Sequence, residues 1–141
     1  MFAKLFGGGK PTAPRSIAGR QCFELICAAR EYFSIEKGWP LPPRLARDPV
    51  FIGRLIAMMD MLSEKTGESS LLKANCRGLF TVIFGESAAE LAVGLMARGE
   101  SNPVLMEALT ELEEELPGNP NAKFVMLSRI GSPMVDAFAA K

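Results

Sequence analysis

The sequence predicts an all-α fold: a compact bundle of about five to seven helices preceded by a flexible N-terminal tail. Three observations point there. A short capping side chain stands directly before proline at Asp48-Pro49, Asn102-Pro103, Asn119-Pro120 and Ser132-Pro133. Such a side chain accepts from orphan N–H groups at a helix start, and proline at the first helical position sacrifices no intrahelical bond. Glycines Gly38, Gly67, Gly85, Gly99 and Gly118 follow apolar-periodic runs, where helices end. Apolar residues make up 48% of the 141, enough for one core.

The elements follow in order. Residues 1–15 form the predicted tail, since Gly7, Gly8 and Gly9 loosen the backbone and Pro11 and Pro14 block helix continuation. The remaining chain, 16–141, reads as a single helical domain. A first helix is expected from Ser16 to Lys37, with Ile17, Leu25, Ile26, Ala29, Tyr32 and Phe33 on its apolar face. Gly38 to Arg47 is proline-rich and expected to be extended. A second helix, Pro49 to Thr66, is apolar around most of its circumference, which places it centrally. The third runs from Ser70 to Phe84. The fourth covers Ala88 to Arg98, with Ser87 and Glu90 matching a capping box. The fifth, Pro103 to Leu116, carries the stripe Leu105, Leu109, Leu112 and Leu116. Two short helices are expected after Pro120 and Pro133.

Sixteen basic and sixteen acidic side chains cancel. A neutral chain has no global electrostatic pull toward nucleic acid or an anionic membrane. The charges are unevenly spread, however. Residues 1–60 hold nine basic against five acidic groups, and residues 61–141 hold seven against eleven. Two solvated faces of opposite sign account for this, as does self-association of basic end with acidic end. Three cysteines without C-x-x-C spacing favour neither a disulfide framework nor a zinc site, and a reducing compartment is expected. No apolar run reaches the length of a membrane span, and the stretch Phe2 to Phe6 is too short for a secretory signal. The chain contains no histidine. It therefore cannot form a Ser-His-Asp triad, a Cys-His dyad or a histidine-ligated metal site from its own residues.

Val82, Ile83 and Phe84 followed by Gly85-Glu86-Ser87 resemble the nucleophile-elbow region of carboxylesterase-type α/β-hydrolases. That family needs glycine where Ala89 stands and a histidine elsewhere, so Gly85 is read as a helix stop and Ser87 as the next cap. Leu62, Ser63, Thr66, Gly67, Ser69 and Ser70 resemble the helix-turn-helix of bacterial transcription regulators. The resemblance implies that Lys73, Asn75 and Arg77 would face DNA. Glu68 stands where that family usually has an apolar residue. Lys37-x-x-Pro40-x-x-Pro43 matches a proline-rich ligand pattern around Trp39, against the plainer reading of a stiff connector with Trp39 packed on the core. Phe2, Leu5 and Phe6, with Lys4 and Lys10, suit a membrane surface or a partner's groove. Met58 and Met59, among other methionines, are candidates for an adaptable binding groove and equally for core filling.

No catalytic set survives this reading. The expected function is a non-enzymatic helical protein–protein interaction module (adaptor, chaperone-like or an oligomerising subunit) in the cytoplasm, with no cofactor or metal. Its partner is another protein or a second copy, met by apolar surface left over on the second and third helices. Candidate contacts are Phe2, Leu5, Phe6, Trp39, Met58 and Met59. The alternatives are a DNA-binding regulator using residues 62–77 and a peripheral membrane protein using residues 1–6.

Overall fold

The computed structural model describes residues 11–36 and 38–139. The predicted tail contacts Phe2, Leu5 and Phe6 lie outside the described residues. Among the described residues the fold is all-helical: α1 (Ile17–Tyr32), α2 (Pro43–Ala46), α3 (Pro49–Thr66), α4 (Leu72–Phe84), α5 (Glu86–Ala97), α6 (Pro103–Glu115) and α7 (Ala122–Ala139). Short 3₁₀ turns at Ser69–Leu71 and Gly99–Ser101 join α3 to α4 and α5 to α6.

The central helix is α3, as its all-round apolar sequence predicts. Phe51, Ile52, Leu55, Ile56, Met58, Met59 and Leu62 are all buried, and every other α-helix packs against it. Each fully buried side chain of this size contributes about 1.5–3 kcal/mol by leaving water. Its start and stop are those the sequence signals. Asp48 Oδ1 accepts from the Val50 and Phe51 N–H groups at 2.9 and 3.4 Å, with Pro49 at the first position. Gly67 closes the other end at φ 75°, a left-handed conformation that a side chain would strain. Glu68 N–H then reaches back to Ser63 O at 2.7 Å, completing the glycine-terminated cap.

Alongside α3 lies α6. Gly53 faces Leu105 and Ala108, and Asp60 hydrogen-bonds Glu113, so the contacts ascend together and the two helices run parallel. A Cβ at Gly53 would lie 2.6 Å from Leu105 O, so the missing side chain is what allows this approach. The other face of α3 meets α4, with Phe51 edge-on to Phe84 at 6.4 Å between centroids. On α1, Ser16 Oγ accepts from Gly19 N–H at 2.9 Å, and the Glu68 carboxylate accepts from Ala18 N–H at 2.8 Å. A side chain fifty positions away thus helps cap the helix start, and these bonds hold the Glu68 carboxyl below its ordinary range.

Four expectations are corrected. The first helix stops at Tyr32 rather than Lys37: Ser34 takes φ 55°, and the Phe33 ring turns onto Gly131 of α7, where a Cβ would collide with it. The Gly38–Arg47 connector is not extended throughout. It has a cis Trp39–Pro40 bond and the one-turn helix α2, started by Pro43 and anchored by buried Leu45 and Ala46. Ser87 does not cap the fourth predicted helix. Gly85, at φ 83° and ψ 160°, interrupts the helix for a single residue, so α5 restarts at Glu86 and Ser87 falls inside the first turn. Pro133 does not begin a helix but lies inside α7. A proline there leaves the carbonyl four residues earlier, Arg129 O, without its helical donor. Arg54 supplies the replacement, donating from Nη1 to Arg129 O at 2.8 Å.

Candidate functional site

The apolar surface left uncovered is not on the second and third predicted helices, which the core absorbs. Part of it is on α5. This helix has two charged residues, Glu86 and Glu90, among its twelve, yet only Ala89 and Ala92 are buried. Ala88, Leu91 and Leu95 recur at helical spacing along one face; Leu91 is 38% exposed, and Ala88 and Leu95 are half-buried. Arg98 follows the helix and lays its guanidinium along Gly94, where a Cβ would stand 3.4 Å from it. This face has an apolar centre with exposed Arg98 beyond its C-terminal end, whereas exposed Glu86 lies about 140° from Leu91 around the helix axis. The sequence carries this signal as a segment nearly free of charge, but burial alone decides which apolar helix remains uncovered.

A second surface is polar. Pro43 starts α2, and its two buried residues, Leu45 and Ala46, turn Arg44 and Arg47 outward on one side. The Leu41 N–H donates to Ile83 O at 2.8 Å, fixing the connector on the end of α4. Arg54, in the second turn of α3, lies beside them, and Ser132, Pro133, Asp136 and Ala137 of α7 form the facing wall. The cleft, open to solvent, measures about 620 Å³ and carries three arginines against Asp48 and Asp136. The Asp48 carboxylate is already engaged in capping α3. Burial, reinforced by the nearby Arg129 cation, lowers the proton affinity of Arg54. The sequence places Arg44-x-x-Arg47 and Arg54 in the basic half, yet only the short helix α2 gathers them.

An acidic cluster lies between α3 and α6. Partial burial, a hydrogen bond to Asp60 and the charges of Asp60 and Glu64 raise the Glu113 carboxyl to about 7. Cys22 and Cys76 are buried thiols, and burial pushes Cys76 up to about 12 and Cys22 further still. Neither has the thiolate character that nucleophilic chemistry needs.

The residues singled out from sequence scatter. Met58 and Met59 are fully buried in α3 and present no surface to a partner in this fold. Trp39 is half-buried, 5.6 Å from the Phe23 ring and stacked under Arg30 at 4.3 Å, which matches the reading that packs it on the core. Lys73 and Arg77 are exposed one turn apart on α4, but Asn75 is buried and its Nδ2 has no hydrogen-bond partner. The three do not share a face. The Glu68 side chain in the preceding turn is committed to capping α1. Tyr32 and Phe124 form an exposed edge-to-face pair with centroids 5.6 Å apart, linking α1 to α7. No helix among the described residues is long and apolar enough to cross a membrane. The chain matches no protein-family model, no curated protein and no solved structure.

Proposed function

We propose that this chain is a non-enzymatic helical interaction module, resident in the cytoplasm, whose docking element is the α5 face and whose partner is a second copy of itself. The carrying observation is that α5, with two charges among twelve residues, buries only two of them. A leftover apolar helix face favours a partner that removes it from water.

The face is also self-complementary. Leu91 stands near the middle of Glu86–Ala97. In an antiparallel pairing about the helix midpoint, Ala88 of one copy comes opposite Leu95 of the other and the two Leu91 side chains lie adjacent. A two-fold interface requires this matching, since each patch must complement itself. A helix of twelve residues is about 18 Å long, so the contact belongs among the small, transient interfaces. The absence of histidine supports the non-enzymatic reading, and the buried thiols Cys22 and Cys76 accord with a reducing compartment.

Sedimentation velocity across a hundredfold range of protein concentration tests the proposal. The wild-type chain is expected to shift from monomer toward dimer as concentration rises. Leu91→Glu, which places two carboxylates at the centre of the paired faces, is expected to remain monomeric with an unchanged circular dichroism spectrum. A wild-type chain that stays monomeric throughout, or a dimer that Leu91→Glu leaves intact, contradicts it.

A further inference from the structure

The cleft between α2, α3 and α7 has a charge pattern that folding does not require. Among the described residues one ion pair forms, between Arg129 and Glu115 at 2.7 Å. Neither the Arg44 nor the Arg47 guanidinium forms a hydrogen bond or ion pair there, and Arg54 spends one donor on Arg129 O. Three guanidiniums with unspent donors thus line one concavity. Repulsion among like charges disfavours such a gathering unless something negative enters it. The two carboxylates in the lining, Asp48 and Asp136, offset part of this charge and leave the cleft net positive by one. Asp48 accepts from two backbone N–H groups at the start of α3. Asp136, on the opposite wall, forms no ion pair with the arginines and retains its acceptor capacity.

We infer that this cleft binds a small organic phosphate, with its phosphoryl group held by Arg44, Arg47 and Arg54 and a ligand hydroxyl donating to Asp136. The forked guanidinium matches phosphoryl oxygens two at a time, which makes arginine rather than lysine the suitable donor. Phosphate alone would gain nothing from Asp136, whereas a hydroxyl donor gives that carboxylate a role and sets the ligand's direction. Leu45, Val50, Pro133 and Ala137 provide apolar wall for a short carbon skeleton. The volume, about 620 Å³, lies within the ordinary range for small-molecule sites. This inference is independent of the α5 face, which shares no residue with the cleft.

The test is an NMR titration of the full chain with glycerol phosphate, followed by ¹H–¹⁵N correlation spectra. Glycerol and sodium chloride at matched ionic strength serve as controls, and phosphatidic acid vesicles form a separate arm. Saturable shifts are expected at amides of residues 44–54 and 132–137, with none from glycerol. Arg44→Gln and Arg47→Gln alter exposed side chains and should retain the wild-type fold. Each is expected to weaken binding by about tenfold or more. Asp136→Asn is expected to weaken glycerol phosphate binding more than binding of inorganic phosphate. The inference is overturned if shifts do not saturate, if they spread equally over arginines elsewhere, or if Arg44→Gln and Arg47→Gln bind as the wild type does. Binding to the vesicles without binding to glycerol phosphate also overturns it, because the cleft would then be reading a lipid surface.

Discussion

At Arg129 the backbone carbonyl loses its helical donor because Pro133 has no N–H, and Arg54 fills the gap at 2.8 Å. This makes two distant residues thermodynamically interdependent. Arg54→Met is expected to cost about 1–2 kcal/mol in the wild-type background. In a Pro133→Ala background the restored N–H satisfies Arg129 O, and the same substitution should cost about 0.5 kcal/mol or less. Urea denaturation of the four variants measures the coupling, and equal costs in both backgrounds would show that the two residues act separately. Glu113 offers a second test. Its carboxyl is raised to about 7, first by burial and then by Asp60 and Glu64, so folding favours the protonated form. As pH rises from the unfolded carboxyl range toward 7, the unfolded chain releases a proton that the folded chain keeps, and stability falls. Glu113→Gln keeps the position neutral. It is expected to raise Tm by about 1–3 °C at pH 8, after allowance for solvent screening, and to change little at pH 5. Thermal denaturation at the two pH values reads this directly. Both cases show why side-chain sites were hard to read in sequence. Nothing in the order of residues joins Arg54 to Arg129, or Asp60 to Glu113.

At the level of elements, local signals were strong where one residue does one job. Asp48-Pro49 and Gly67 bound α3 as expected, and Asn102-Pro103 starts α6, with Asn102 Oδ1 accepting from Leu105 N–H at 3.2 Å. The same signal misled at Ser132-Pro133, because a distant arginine compensates for the proline, and at Ser87, because Gly85 turns the chain a residue sooner. The parallel contact of α3 with α6 is an element-scale feature with its own test. Gly53→Ala would push a methyl group against the Leu105 carbonyl, which is backbone and cannot swing aside. The expected loss is about 1–3 kcal/mol, in line with overpacking of a tight interior. Chemical denaturation that found Gly53→Ala neutral would mean that the two helices separate easily.

Across the whole molecule, the hydrophobic pattern correctly announced a helical bundle with a buried central helix. It could not say which helix the bundle would leave bare. Apolar content on α3 and α4 exceeds that of an ordinary surface helix, yet α3 is enclosed by its neighbours, and α4 buries Cys76, Leu79, Phe80, Ile83 and Phe84. Exposed large apolar side chains remain at Ile17, Tyr32, Leu71, Val104 and Phe124, and on α5 the small residues Ala89 and Ala92 face the core while Leu91 faces outward. Candidate contacts chosen for being methionine were drawn into the interior for the same reason: tertiary packing, not residue type, settles which apolar side chains remain available. The helical argument for DNA met a similar obstacle, since Asn75 shares α4 with Lys73 and Arg77 but points into the protein.

Amide hydrogen exchange at low and high protein concentration examines the docking role of α5 most directly. If two copies meet there, protection of the amides from Ala88 to Ala97 rises with concentration while the buried centre of α3 is unchanged. Protection of that segment that is the same in dilute and concentrated samples would contradict the account.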